Sequence, residues 1–141
     1  MRTVLRALTY LWTAPNTVLG LVLGALSFQR PRLDAGVVVF DRGPRGFLRL
    51  FSRTGHRAIT FGHVVLSSIP LAGAHREHER AHVSQYEVLG PFFLPVYLVL
   101  WVVRGYRRHP LERAAVRRAA LLEGRATGRG GSSRPPSPPP P

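Results

Sequence analysis

The stretch His78-Glu79-Arg80-Ala81-His82 constrains this chain more than any other part of it. Residues four apart on an α-helix lie on one face, one turn above each other, so both imidazoles can reach one metal ion. The Glu beside the first His is then placed to take a proton from a water on that metal. The pattern therefore asks for a helix, a third donor from elsewhere and a substrate cleft.

The flanking sequence supplies the helix. Ala74–Leu89 reads as one element, closed by Gly90-Pro91. Stepping about 100° per residue puts His75, His78, His82, Gln85 and Leu89 on one side. Arg76, Arg80, Val83, Ser84 and Glu87 fall on the other. A solvated helix can show such a division, but three His and a Gln opposite the arginines is how a metal-site helix divides. Glu87 points away from His78 and His82 and is not expected to be a ligand. His75 shares their face. Ligands spread over two turns rarely converge at about 2 Å from one ion, so His75 is expected at the mouth of the site or behind a ligand.

Cysteine is absent, so any metal must be held by His, carboxylate or water. Downstream of the motif the carboxylates are Glu87, Glu112 and Glu123. Glu87 faces the wrong way and Glu123 borders a tail of low complexity. Glu112 follows His109-Pro110-Leu111, with Pro at the first position of a last helix and Glu at the third. Two readings of Glu112 stand side by side. An acid in the first turn favours the helix dipole, and an acid on a second helix packed against the first completes a metal site.

Upstream, Gly36–Phe40, Gly46–Phe51 and Arg57–Ser67 read as strands separated by turn residues. They suggest a small antiparallel sheet of about three strands. His63 sits within the third, sharing a face with Phe61 and Val65, where a lone His is more often packed than a ligand.

Two stretches are unusually apolar. Residues 7–29 carry no formal charge and are flanked by arginines. A helix of that length would reach about 34 Å, enough for a bilayer core of roughly 30 Å. Pro15-Asn16 interrupts it. A kinked or re-entrant helix, a signal peptide, and two short interfacial helices (Val4–Thr13 and Asn16–Ser27) all remain open, with membrane attachment common to the first and third. The uncharged run 88–103 is short for a span and holds Pro91 and Pro95. It reads as a buried core helix, a re-entrant segment or a helix in the headgroup region. Trp101 and Tyr106 beside Arg104, Arg107 and Arg108 have the composition of an interfacial anchor.

The formal net charge of +13 rests on arginine alone, since the chain has no lysine. Such a balance permits contact with nucleic acid or anionic lipid. The arginines are scattered in ones and twos without interleaved aromatics, which argues against a nucleic-acid groove and leaves membrane lipids as the favoured partner. From Gly124 the chain reads GRATGRGGSSRPPSPPPP and lacks large apolar residues, so 124–141 is expected to be disordered.

From Gly62 to Ala115 the sequence resembles small bacterial membrane-associated proteins of the minigluzincin type. The resemblance is carried by Gly62-His-Val-Val-Leu66, His78-Glu-Arg-Ala-His-Val-Ser-Gln-Tyr-Glu87, Gly90-Pro-Phe-Phe-Leu-Pro-Val-Tyr97 and His109-Pro-Leu-Glu-Arg-Ala-Ala115. It implies zinc bound by His78, His82 and Glu112, with Glu79 as the base. A Glu preceding an Ala by three residues on a later helix is common in that group, and Glu112 with Ala115 fits. The acidic residue that often accompanies that Ala is missing. The implied activity is a zinc hydrolase, a peptidase acting on a peptide or protein, at the bacterial cytoplasmic membrane. Gln85 would orient a ligand, and Tyr86, His75 or His63 would stabilise the oxyanion. The competing expectation is a small membrane scaffold with a structural or vestigial metal site, since little chain remains to build a cleft.

The fold expected is α+β. An apolar membrane-associated segment, 1–33, precedes a zinc domain, 34–123. In it a small antiparallel sheet packs with the motif helix and a second ligand helix, and the apolar run 88–103 lies between them.

Overall fold

The computed structural model describes residues 2–105 and 108–128. Its elements are α1 (Arg2–Ala25), β1 (Arg32–Asp34), β2 (Val37–Phe40), α2 (Gly46–Ser52), β3 (Ala58–Phe61), β4 (Val64–Ser67), α3 (Gly73–Leu89), a 3₁₀ turn (Gly90–Phe92), α4 (Phe93–Arg104) and α5 (Pro110–Gly128). The architecture is mixed α/β, with a small four-stranded sheet in the order β1-β2-β4-β3.

The sheet differs from the antiparallel one expected. β1 pairs antiparallel with β2, and β3 with β4, but β2 runs parallel to β4, with Val38 opposite Val64 and Phe40 opposite Leu66. A parallel pair needs a long crossover, and residues 41–63 supply it by way of α2. That helix replaces the strand expected over Gly46–Phe51. Phe47, Leu48, Leu50 and Phe51 fit a helical stripe as well as they fit alternation, and Leu48 ends fully buried. The single strand expected over Arg57–Ser67 is a hairpin. Its two-residue turn is Gly62-His63, with Gly62 at φ +57, where a Cβ would sit 2.3 Å from Thr17 Oγ1.

β4 is central and all four of its residues are buried, which is why it reads as an unbroken Val-Val-Leu run. On one face of the sheet Val37, Val39 and Val65 pack with Leu71 and with Val83 of α3. On the other, Phe40, Phe61, Val64 and Leu66 enclose Leu48.

α1 is one continuous helix through Pro15, not two short ones. Thr13, Asn16, Gly20, Gly24 and Ser27 form one stripe, and all five are buried. Small side chains there let α1 lie close to the sheet, and a Cβ on Gly20 would meet Val64 and Phe61 at 2.7 and 2.9 Å. Asn16 donates to the Gly90 carbonyl at 2.9 Å. The opposite stripe is apolar and exposed, through Val4, Leu8, Leu11, Val18, Leu19 and Val22. α1 is thus inverted, polar toward the protein and apolar toward its surroundings.

The helical run Gly73–Arg104 is long and apolar enough to cross a membrane by length and composition. Only 17% of its most apolar 18-residue window is buried. α4 supplies the apolar part, with Val99, Val102 and Val103 exposed and Phe93 buried. It is not the core helix that was one of the expectations for 88–103. Trp101 and Arg104 lie at its exposed end, while Tyr106 and Arg107 lie outside the described residues.

α5 starts at Pro110, as its sequence predicts, and runs to Gly128, past the expected start of the disordered tail. Leu121, Leu122 and Glu123 carry helical propensity into Gly124-Arg125-Ala126. The rest of the expected tail, 129–141, lies outside the described residues. α5 packs chiefly against α3, through the buried small residues Ala115 and Ala119.

Candidate metal centre

α3 and α5 bring His78, His82 and Glu112 together. His78 Nε2 lies 3.2 Å from His82 Nε2, Glu112 Oε2 lies 3.4 Å from His78 Nε2, and Glu112 Oε1 lies 3.4 Å from His82 Nε2. Three donors each about 2.0–2.1 Å from one ion at tetrahedral angles would lie about 3.3–3.4 Å apart. The His78–His82 edge is close to that length. The two Glu112 contacts use different oxygens, and with one donor atom from each residue all three lie within 4.8 Å of one another. The chemistry of the group (two imidazole nitrogens and a carboxylate) suits a divalent ion. This group can hold a metal.

Two of the three donors, His82 and Glu112, are held from behind. Gln85 donates its amide to the Leu111 carbonyl at 2.9 Å, which turns its oxygen toward His82 Nδ1, also at 2.9 Å. His82 Nδ1–H is thus engaged by Gln85, and Nε2 is the ring atom turned to the triangle, the one that would bind a metal. Tyr97 of α4 donates its hydroxyl to Glu112 Oε1 at 2.6 Å. Its ring stacks on His109, with centroids 4.2 Å apart, and the His109 Nε2–H donates to the Tyr97 carbonyl at 3.0 Å. Neither Tyr97 nor His109 was singled out in the sequence as a site residue. Tyr97 is hidden in an apolar run where its hydroxyl is the only distinguishing signal.

Burial alone would raise the Glu112 carboxyl, but the hydrogen bonds from His78, His82 and Tyr97 hold it well below the usual carboxylate range. Burial likewise works to lower the His82 imidazole. Glu112 more than offsets this, and His82 stands above its ordinary value. Both shifts describe the same attraction between a carboxylate and the two rings around it.

Glu79 is 4% exposed, and Thr60 of β3 donates to its Oε2 at 2.7 Å. No other hydrogen bond to Glu79 is present among the described residues, so Oε1 is uncommitted. Tyr86 is fully buried, packs on Phe93 at 3.8 Å and donates to the Thr60 carbonyl at 3.0 Å. Its hydroxyl is engaged there, and so it serves Thr60 and Glu79 rather than an oxyanion.

The remaining expected residues lie elsewhere. His63 is in the hairpin turn on the far side of α3. There Thr13 Oγ1 lies 2.9 Å from its Nδ1, Glu87 Oε1 lies 3.2 Å from its Nε2, and Tyr10 packs on its ring. This corrects its proposed place at the oxyanion. The same contact turns Glu87 away from the triangle. His75 is not part of the ligand group, and its Nε2 is buried without a partner among the described residues.

No family model matches this chain, and neither a curated protein nor a solved structure matches it.

Proposed function

We propose that this chain is a membrane-associated zinc-dependent hydrolase of the gluzincin type, acting on a peptide or protein substrate. The observation that carries the reading is the His78–His82–Glu112 group, whose donor atoms, one from each residue, lie within 4.8 Å of one another. Three protein donors leave one tetrahedral position for water or substrate, whereas structural zinc is usually closed by four. Zinc bound there would supply Lewis acidity and a lowered pKa for water.

The chain's own residues then divide the work. Glu79, one residue from His78 and held through Oε2 by Thr60, keeps Oε1 free to accept a proton from water and pass it to the leaving amine. Gln85 fixes the ligating tautomer of His82. Tyr97 gives its one O–H to Glu112 Oε1 and so orients the ligand carboxylate.

Membrane association is supported by the inversion of α1 and by the exposed apolar face of α4. Polar and small residues turned inward with leucine and valine turned outward is the arrangement lipid favours. Trp12 of α1 and Phe92 lie 6.2 Å apart, so the two apolar faces adjoin.

The scaffold reading retains one supporting observation. A cavity of about 440 Å³ lies on the opposite face of α3 from the triangle, lined by Arg80, Ser84 and Glu87. Glu79→Gln separates the two readings. In the hydrolase, the variant keeps stoichiometric zinc and loses cleavage of a peptide library that the wild type cuts. A scaffold cuts nothing in either form.

A further inference from the structure

We infer that the cavity on the Arg80 side of α3 binds a phosphate group, and that this site is separate from the metal centre. Three guanidiniums line it from three different helices: Arg6 of α1, Arg80 of α3 and Arg118 of α5. None of the three makes a hydrogen bond or ion pair among the described residues. Their neighbours Arg32 and Arg76 are paired, with Asp41 at 2.7 Å and Asp34 at 2.6 Å. Asp41 is therefore engaged elsewhere, while Asp34, held by Arg76, also feels the charge of Arg80. Three arginines share one cavity.

Two carboxylates, Glu77 and Glu87, also line it, so three arginines against two glutamates leave one positive charge in excess. An excess of guanidinium over carboxylate favours an anion between them. Guanidinium forks match phosphate and carboxylate oxygens alike. Guanidiniums from three helices offer enough donors for a group with three available oxygens, a phosphate monoester, and more than a flat carboxylate with two can use. Arg6 lies on the same side of α1 as the buried Thr13, about two turns before it, and is itself exposed. Its neighbours Leu5 and Leu8 are exposed on the outward side at 58% and 56%. The cavity thus opens where the apolar stripe of α1 begins. About 440 Å³ falls within the usual size of a small-molecule site and leaves room for an organic group on the phosphate. The phosphate belongs either to a lipid headgroup or to a soluble phosphate compound.

The test is thermal unfolding of the full chain in a nonionic detergent, titrated with inorganic phosphate against sodium chloride of equal ionic strength and against acetate. The wild type should show a saturable rise in melting temperature with phosphate alone. Arg80→Gln with Arg118→Gln should weaken half-saturation by about tenfold or more, given the strength of charge-assisted bonds. Arg6→Gln alone should weaken it less and serves if the double variant does not fold. Arg49→Gln, on the exposed side of α2, should leave it unchanged. Phosphatidic acid, a lipid whose headgroup is a phosphate monoester, added to the micelles distinguishes the sources. Loss of the phosphate response identifies a lipid headgroup, and its persistence identifies a soluble phosphate. No saturable response in the wild type, an equal response to acetate or chloride, or an undiminished response in the arginine variants overturns the site.

Discussion

Gln85 Oε1 lies 2.9 Å from His82 Nδ1, and the amide of the same side chain donates to the Leu111 carbonyl, one residue before Glu112. One side chain of α3 therefore fixes a ligand on its own helix and the backbone beside a ligand on α5. Gln85→Ala should lower zinc affinity by about 10–100-fold, the usual effect of losing such a partner. A chelator competition titration measures it. An unchanged affinity would mean that the two helices meet correctly without this bridge.

Tyr97→Phe removes the hydroxyl that donates to Glu112 at 2.6 Å. Zinc affinity should fall modestly, because Glu112 keeps its other contacts. Turnover should fall in step with zinc occupancy, because the phenol's one proton is given to Glu112 and not to an oxyanion. Comparing kcat with zinc occupancy tests this.

The hairpin and the 3₁₀ turn each hold a glycine that the close approach of α1 requires. Gly90 has φ +54, and a Cβ there would lie 2.2 Å from Trp12. Gly90→Ala should destabilise the chain by about 2–5 kcal/mol, from left-handed strain together with overpacking. Gly55 has φ +87 with nothing within 4 Å, so Gly55→Ala should lose only the conformational part, about 1–2 kcal/mol. Unfolding in detergent should rank the two variants in that order.

Acid should weaken the sheet through Asp41. The Arg32 guanidinium, helped by the Leu71 N–H, holds the Asp41 carboxyl below its ordinary value despite burial. A carboxyl with a depressed folded pKa contributes stability fully above its unfolded value of about 3.9 and loses it as pH falls toward the folded value. Asp41→Asn should therefore be less stable than wild type at pH 7, and the gap should close below about pH 4. Melting temperatures of both proteins across that range test the sign.

What the sequence made legible follows from where its signals are local. The wheel of α3 separates His78, His82 and Gln85 from Glu87, and the folded chain has the same division. Pro110 and Glu112 mark the start of α5 by their chemistry alone. The strand pattern was weaker. Gly46–Phe51 carries four apolar residues that fit either period, and only burial of Leu48 under the sheet decides for a helix. β1 is three residues long and directly follows Pro31, too short to leave a periodic trace. The parallel pairing of β2 with β4 is a tertiary fact that neither strand encodes by itself. Thr60 and Tyr97 matter through single hydroxyls set among apolar neighbours, and their partners are 19 and 15 residues away.

The most direct test is the metal content of the purified full chain. Mass spectrometry after equilibration with equimolar zinc should find one zinc per wild-type chain, and less than about a tenth of that with Glu112→Ala, given the loss of one of three donors. A wild-type chain without stoichiometric zinc, or a Glu112→Ala variant that retains it in full, would contradict a metal centre built from His78, His82 and Glu112.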